Sequence, residues 1–297
     1  MTQWTVDATE NIAFDEPVQT LHVRIVDGTV NVVPTDGPAR LEVALLEGDP
    51  LQVSLENGVL TVSYKDLSWH EFGEAVKSVQ TVKSFFSSLR RKRRAEVTVA
   101  VPAAAAVKLG TVSAHATVSG ITGEVGVHGA SGDTTLAGLT GRVQANTVSG
   151  DIDAEGLSGE LKVNTVSGAV TLVAGTADRI RANSVSGAVT LDLDVTTPTD
   201  IAVTTVSGAV GVRLPSLADA RVEAGTTAGS LSSAFSELTV GGGWGSKKLS
   251  GQLGSGRGHL QVTTVTGAVT VQRRPDAEED RPVKELPVGG LDLTKEV

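Results

Sequence analysis

The chain has 297 residues and a formal net charge of −9, with 40% apolar residues, 3% aromatics and no cysteine. Its length suits one elongated domain or two compact ones, and its apolar content suffices for a buried core. The lack of cysteine excludes a disulfide framework and thiolate metal sites, and the scarcity of rings argues against an aromatic-lined substrate pocket.

The opening stretch, MTQWTVDATENIAFDEP, carries acids and lacks the apolar core of a secretory signal. No stretch reaches the roughly 18 apolar residues of a spanning helix. Together these predict a cytoplasmic protein. "LHVRIVDGTVNVV" alternates apolar and polar residues, with Leu21, Val23 and Ile25 before Gly28 and Val30 and Val32 after it. Period-two alternation is the signature of strands. Leu41 to Tyr64 is strand-rich with less regular spacing, and "ENGVL" at Glu56 to Leu60 reads as a hairpin turn. Residues 1–66 are thus expected to form a first coil and a cap over an edge otherwise open to pairing.

Residues 67–94, "LSWHEFGEAVKSVQTVKSFFSSLRRKRR", break the strand pattern. Trp69, Phe72, Val76, Val79, Val82, Phe86 and Leu89 recur at intervals of three or four, the spacing of an amphipathic helix, with Phe85 to one side. Arg90, Arg91, Lys92, Arg93 and Arg94 close the segment. Seven Lys/Arg against two Asp/Glu give it +5, so the rest of the chain carries −14. Aromatic and apolar residues beside Lys/Arg suit an anionic lipid surface. The acidic remainder would repel a nucleic-acid backbone, so no nucleic-acid partner is expected. A helix packed on the β-structure with a solvated basic end remains the competing reading.

From residue 95 to 273 one unit recurs. Its corner reads NTVSG at Asn146 and Asn164, NSVSG at Asn183, TTVSG at Thr204 and TTVTG at Thr263. Aligned on the last residue of each corner, positions 114, 132, 150, 168, 187, 208, 229 and 267 are separated by 18, 18, 18, 19, 21, 21 and 38 residues. Alternating strands flank each corner, as in Leu161, Val163 and Thr165 before Gly168 and Val170 and Leu172 after it. Further turns read Ile121 to Gly123, Leu139 to Gly141 and Leu157 to Gly159. A repeat of this length with glycine corners and no helical period predicts an all-β, right-handed β-solenoid of 18–21-residue coils. Stacking about 4.8 Å apart would align Asn146, Asn164 and Asn183 as an amide ladder, and Ser149, Ser167, Ser186 and Ser207 as a hydroxyl ladder. The glycine is expected to permit a turn conformation closed to other residues. The last spacing suggests two coils, one of them irregular and holding "GGGWGSKKLSGQLGSGRG". Residues 274–297, charged and non-periodic, read as a disordered tail.

The search for chemistry finds no catalytic, metal or cofactor site and identifies no small-molecule substrate. His22, His70, His115, His128 and His259 share no metal-like spacing. Asp133 and Asp151 follow successive corner glycines with Asp153 near, but the next coils place Ala169, Ala188 and Ala209 there. A hydroxyl array of the ice-binding kind is set aside, because the hydroxyls fall at corners and not in paired outward rows.

The repeated Thr-Val-Ser-Gly corners, "VTVAVP" at Val97 to Pro102 and "GGGWGSKKLSGQLGSGRGHLQVTTVTGAVTV" resemble a bacterial family of β-strand-repeat proteins called "putative adhesins", a domain of unknown function common in actinobacteria. The resemblance covers roughly residues 15 to 273 and implies a right-handed β-solenoid with no established catalysis. It carries over no functional residue. The expected function is a non-enzymatic scaffold or interaction protein. It would dock on the inner membrane surface through Trp69 to Arg94 and engage a protein partner or another copy of itself. The alternatives are a cell-surface adhesin exported by an unseen route and, more remotely, a carbohydrate-active β-helix enzyme.

Overall fold

The computed structural model describes residues 2–67, 93–194, 197–243 and 245–274. Every regular element among them is a strand. The expected helix over 67–94 therefore falls, apart from its two margins, on residues 68–92, outside the described residues. Those margins are not helical. Leu67 follows a turn in which its N–H donates to the Tyr64 carbonyl at 3.1 Å, and Arg94 begins the strand Arg94–Val101.

Among the described residues, twenty-six strands form two long sheets of 14 and 12 strands. Each repeat places one strand in each sheet, as Arg142–Thr147 in the first and Ile152–Glu155 in the second. The NTVSG corner joins them, and the Leu-Ser/Thr-Gly turn leads back to the first sheet. Pairing through the middle is parallel and in register, so that Val143, Leu161, Ile180 and Ile201 stack in one column. Alternation sends these residues inward, where Val, Leu and Ile columns from both sheets form one continuous core. The fold is all-β and solenoid-like.

The two ends depart from this order. At the start, Leu51–Glu56 and Val59–Tyr64 form an antiparallel hairpin. Its turn holds Asn57 at φ 50° and Gly58 at φ 76°, consecutive left-handed residues as a type I′ turn requires. Val59–Tyr64 runs parallel to Thr20–Ile25, and Arg94–Val101 runs parallel to Asp27–Pro34. The coil of residues 20–34 thus lies between this later segment and the rung of residues 106–119. Antiparallel strands Ala39–Glu47, Glu10–Phe14 and Thr2–Val6 complete the closure.

At the far end the expected coil order is corrected. The corner series implied that the rung of Gly229 sits on that of Gly208, with Gly267 outermost. Instead Gly258–Thr264 pairs with Asp200–Thr205 on one side and Ala220–Thr226 on the other. The last coil in sequence is inserted before the penultimate one. Strand lengths supply a reason. Leu231–Ser233 offers only three residues to the second sheet, a poor template for a further rung, whereas Val269–Arg273 offers five. The glycine-rich stretch is no coil. It supplies Ser246–Leu253, which pairs antiparallel with both Ala220–Thr226 and Leu238–Gly243, the last strand of the first sheet. Arg274, placed in the tail by sequence, is still docked. Its N–H donates to the Leu214 carbonyl, and its guanidinium meets Asp192 at 3.5 Å and Asp194 at 3.4 Å.

Candidate interaction surface

Each corner is built from five residues with separate tasks. The inward Thr165 is buried, and its hydroxyl both accepts from the Gly168 N–H at 3.0 Å and donates to the Gly168 carbonyl at 3.2 Å. Thr147, Thr226 and Thr264 accept from their own corner glycines in the same way. The hydroxyl thereby satisfies a backbone N–H that the tight turn would leave without a strand partner.

The glycine is required for another reason than the one expected. Gly150, Gly168, Gly187 and Gly208 are absent from the residues with positive φ. A Cβ on Gly168 would instead collide with the backbone carbonyl of Gly150, and one on Gly187 with that of Gly168. Stacking, and not a left-handed turn, selects glycine here. Gly28 alone in this column is left-handed, at φ 110°, and the residue stacked on it is Ala114.

The amide ladder forms as expected and is one residue longer. Asn164 Nδ2 donates to Asn146 Oδ1 at 2.7 Å, and Asn183 Nδ2 donates to Asn164 Oδ1 at 2.9 Å. Asn146 Nδ2 lies 3.2 Å from His128 Nδ1. The serine ladder is corrected. Ser167 sends both its N–H and its hydroxyl to the Val148 carbonyl of the rung before, at 2.9 and 3.1 Å, and Ser149, Ser186 and Ser207 repeat the pattern. Hydroxyl-to-hydroxyl contact survives only between Ser131 and Ser113 among these corner serines.

Two surface features were missed in the sequence. The corner valines Val166, Val185, Val206 and Val265 form an exposed column, 39–47% accessible. Their signal was the one motif position left without a structural task. On the outer face of the second sheet, Thr117, Thr135, Thr171, Thr190 and Thr270 share one register, interrupted by Asp153 and Gly211. Outward hydroxyls thus do form a row, single and broken.

The carboxylates that would suggest an enzyme are occupied by backbone. Asp133 Oδ1 accepts the Asp151 N–H at 3.0 Å, and Asp151 Oδ1 accepts the Ala169 N–H at 2.8 Å. His115 lies 3.5 Å from Asp133. Burial, and then nearby Lys108, push the His128 pKa down; burial, then Lys108 and Arg24, do the same for His22. No group of three His, Cys, Asp or Glu residues able to hold a metal occurs among the described residues. No helix among them is long and apolar enough to cross a membrane.

The segment predicted to bind a membrane or partner interrupts one corner. In the rung made by Val59–Tyr64 and Arg94–Val101, it occupies the place where the neighbouring rung turns through Val26 and Asp27. Trp69, Phe72, Val76, Val79, Phe85, Phe86, Leu89, Arg90, Arg91 and Lys92 lie outside the described residues. Both margins are anchored. Leu67 is buried. Arg93, expected to meet a membrane or partner with the rest of the basic run, is 8% exposed and donates to Asp49 through Nε at 2.8 Å and to Asp66 through Nη1 at 2.8 Å. Its guanidinium lies 5.2 Å from the Tyr64 ring centroid. Burial pushes the Tyr64 phenol up to about 12. Arg94 meets Glu96 at 3.3 Å. Arg93 is thus held within the fold, whereas Arg94, in an exposed pair with Glu96, stays at the surface.

Solved structures of similar outline come from three bacteria. A "putative lipid binding protein" from Parabacteroides distasonis shares 12% identity over 91% of this chain and 98% of its own, at a TM-score of 0.49. A "putative adhesin" from Bacteroides fragilis shares 12% over 90% of this chain and 96% of its own, at 0.42. A "putative cell adhesion protein" from Clostridium sporogenes shares 11% over 90% and 99%, at 0.23. At these scores the likenesses do not bear on function. No curated protein matches the chain. The Toastrack DUF4097 model, a domain of unknown function, matches residues 46–272, most of the repeat array and part of its cap, and the chain belongs to that family.

Proposed function

We propose that the protein is a non-enzymatic scaffold whose interrupted corner docks it on an anionic membrane surface, at the cytoplasmic side. The observation that carries this reading is the anchorage of the interruption. Elsewhere in the middle of the stack a corner is a short turn locked to its neighbours. Here a long amphipathic, basic sequence starts after buried Leu67 and ends at clamped Arg93. Such a sequence suits lipid headgroups, with Arg90, Arg91 and Lys92 facing anionic charge and Trp69, Phe72 and Phe86 facing the acyl boundary. The coils are taken to wind right-handed, as parallel strand crossovers do. Antiparallel strands end both sheets at the start and the first sheet at the far end, and the second sheet stops there on the three-residue strand Leu231–Ser233, so a protein partner or a second copy would meet the flat sides of the stack.

Flotation with anionic and with neutral vesicles tests the proposal, using the full chain and a variant in which residues 68–92 are replaced by a short Gly/Ser linker. The full chain is expected to float with anionic vesicles only, and the variant with neither. Flotation of the variant, or none by the full chain, would overturn it. An exported adhesin would instead be cleaved by protease added to intact cells.

A further inference from the structure

The two outer faces of the stack differ in charge. On the second sheet, Asp133, Asp151, Asp153 and Glu155 project from two adjacent rungs. On the first sheet, one outward column contains Lys108, Lys162 and Arg181, and the column beside it contains Asn146, Asn164 and Asn183. From the strand Ala106–Thr111 to the strand Gly258–Thr264, these two columns hold no acid. Lys108, Lys162 and Arg181 are exposed and make no ion pair among the described residues. The next column carries Glu124, Glu160 and Asp200 against Arg142 and Arg179, and its arginines are paired, Arg142 3.3 Å from Glu160, and Arg179 3.9 Å from Glu160 and 3.6 Å from Asp200. On a chain of net charge −9, the unpaired cations form a local basic strip along the stack.

We infer that this strip binds a linear acidic polysaccharide laid along the stack. Charge complementarity supplies the attraction, and the neighbouring groups narrow the occupant. Lys162 and Arg181 stand on adjacent rungs about 4.8 Å apart, with Lys108 three rungs away, about 14 Å from Lys162. The cations therefore track a line and do not converge on one small anion. Each asparagine amide nitrogen carries two N–H groups, and the ladder uses one, leaving the other for a hydroxyl or carboxylate. The two columns contain one ring, the imidazole of His128 at the end of the asparagine ladder, and no Phe, Tyr or Trp for successive bases to stack on, which disfavours single-stranded nucleic acid. Their largest apolar side chain is Ala202, which disfavours insertion into lipid. A flat chain offering both carboxylates and hydroxyls matches what remains. No residue of the strip belongs to the 68–92 segment, and the linker variant tests the two proposals separately.

Equilibrium binding of the full chain to polygalacturonate at low salt, with dextran as the neutral control and inorganic polyphosphate as the charge-only control, tests the inference. Polygalacturonate is expected to bind, dextran not to bind, and polyphosphate to bind more weakly. The variant K108E/K162E/R181E should weaken polygalacturonate binding about tenfold or more, with an unchanged melting temperature showing an intact fold. The linker variant lacking 68–92 should bind the polysaccharide as the full chain does. Undiminished binding by the triple variant, or no binding by the full chain, would overturn the inference. Tighter binding of polyphosphate would overturn the polysaccharide assignment in favour of charge alone.

Discussion

The middle of the stack and its two ends solve the same problem by different means. Between residues 106 and 214, each strand finds above and below it a strand of nearly its own sequence, so one set of residue types satisfies every rung. Asn164 bonds an Asn on either side, and Ser167 bonds the backbone of the rung before. A translational repeat of this kind has no way of ending itself, because its last rung would expose the same donors and acceptors that its first rung lacks. At both ends a coil is therefore held between the regular stack and a segment carrying antiparallel strands. Residues 20–34 lie inside 59–101, and residues 258–273 lie inside 220–233. In each case neighbours in space are no longer neighbours in sequence.

The comparison can be broken most sharply at the corner column. Gly168→Ala puts a methyl group into the Gly150 carbonyl, and neither rung can move without disturbing the next. A loss of roughly 3 kcal/mol is expected in urea unfolding. Ala114→Gly, in the same column but above left-handed Gly28, should cost no more than about 1 kcal/mol, the entropic penalty of a glycine. Equal effects at the two sites would mean that stacking does not select the glycine. Next in size is Arg93→Ala at the capped end. It leaves the Asp49 and Asp66 carboxylates without their guanidinium and uncovers the Tyr64 ring. Both carboxylates reach water, with side chains 33% and 57% exposed, which limits the loss to about 2 kcal/mol. Arg93→Lys keeps the charge but not the two-armed geometry, and should recover only part of it. Full recovery by lysine would reduce the clamp to simple charge.

This contrast also separates what the sequence reveals from what it hides. Strand positions, the corner repeat and the Asn146, Asn164 and Asn183 ladder are legible, because each follows from a residue type recurring at a fixed interval. The order of the last two coils is not legible. Thr226 and Thr264 occupy equivalent corner positions, and nothing in those positions says which rung meets Asp200–Thr205. That choice depends on the antiparallel partner of Ala220–Thr226 and on the brevity of Leu231–Ser233, both set by long-range pairing. The role of the corner glycine is hidden because a turn and a close approach call for the same residue. Arg93 reads as one with Arg90 to Lys92 because its carboxylate partners lie 44 and 27 residues away. Among the predicted binding residues, the structure gives contacts only for Arg93 and Arg94.

Smaller effects are expected within the ladder itself. Asn164→Ala removes one bond to each neighbour, and water reaches the groups left behind, so the loss should be about 1 kcal/mol in thermal or urea unfolding. A loss as large as that at Gly168 would place the energy of the stack in its amides and not in its backbone contacts.

The smallest effect is a pH dependence where the ladder meets the capped end. His128 terminates the amide ladder with Nδ1 facing Asn146 Nδ2, an arrangement that requires neutral imidazole accepting from the amide. Burial first, and Lys108 second, lower its pKa below the ordinary 6.5. The unfolded chain therefore takes up a proton at a higher pH than the folded one, so the stability due to neutral His128 is complete above pH 6.5 and is lost as pH falls through that value. His22, lowered by burial, Lys108 and Arg24, adds a contribution of the same sign. His128→Asn supplies an amide that can continue the ladder without titrating. Unfolding midpoints taken from pH 7.5 down to about pH 5, above the ordinary carboxylate range, should fall for the parent and fall less for the variant, with His22 contributing to what remains. Parallel slopes would mean that His128 exchanges no proton on unfolding, and that its contact with Asn146 does not depend on a neutral ring.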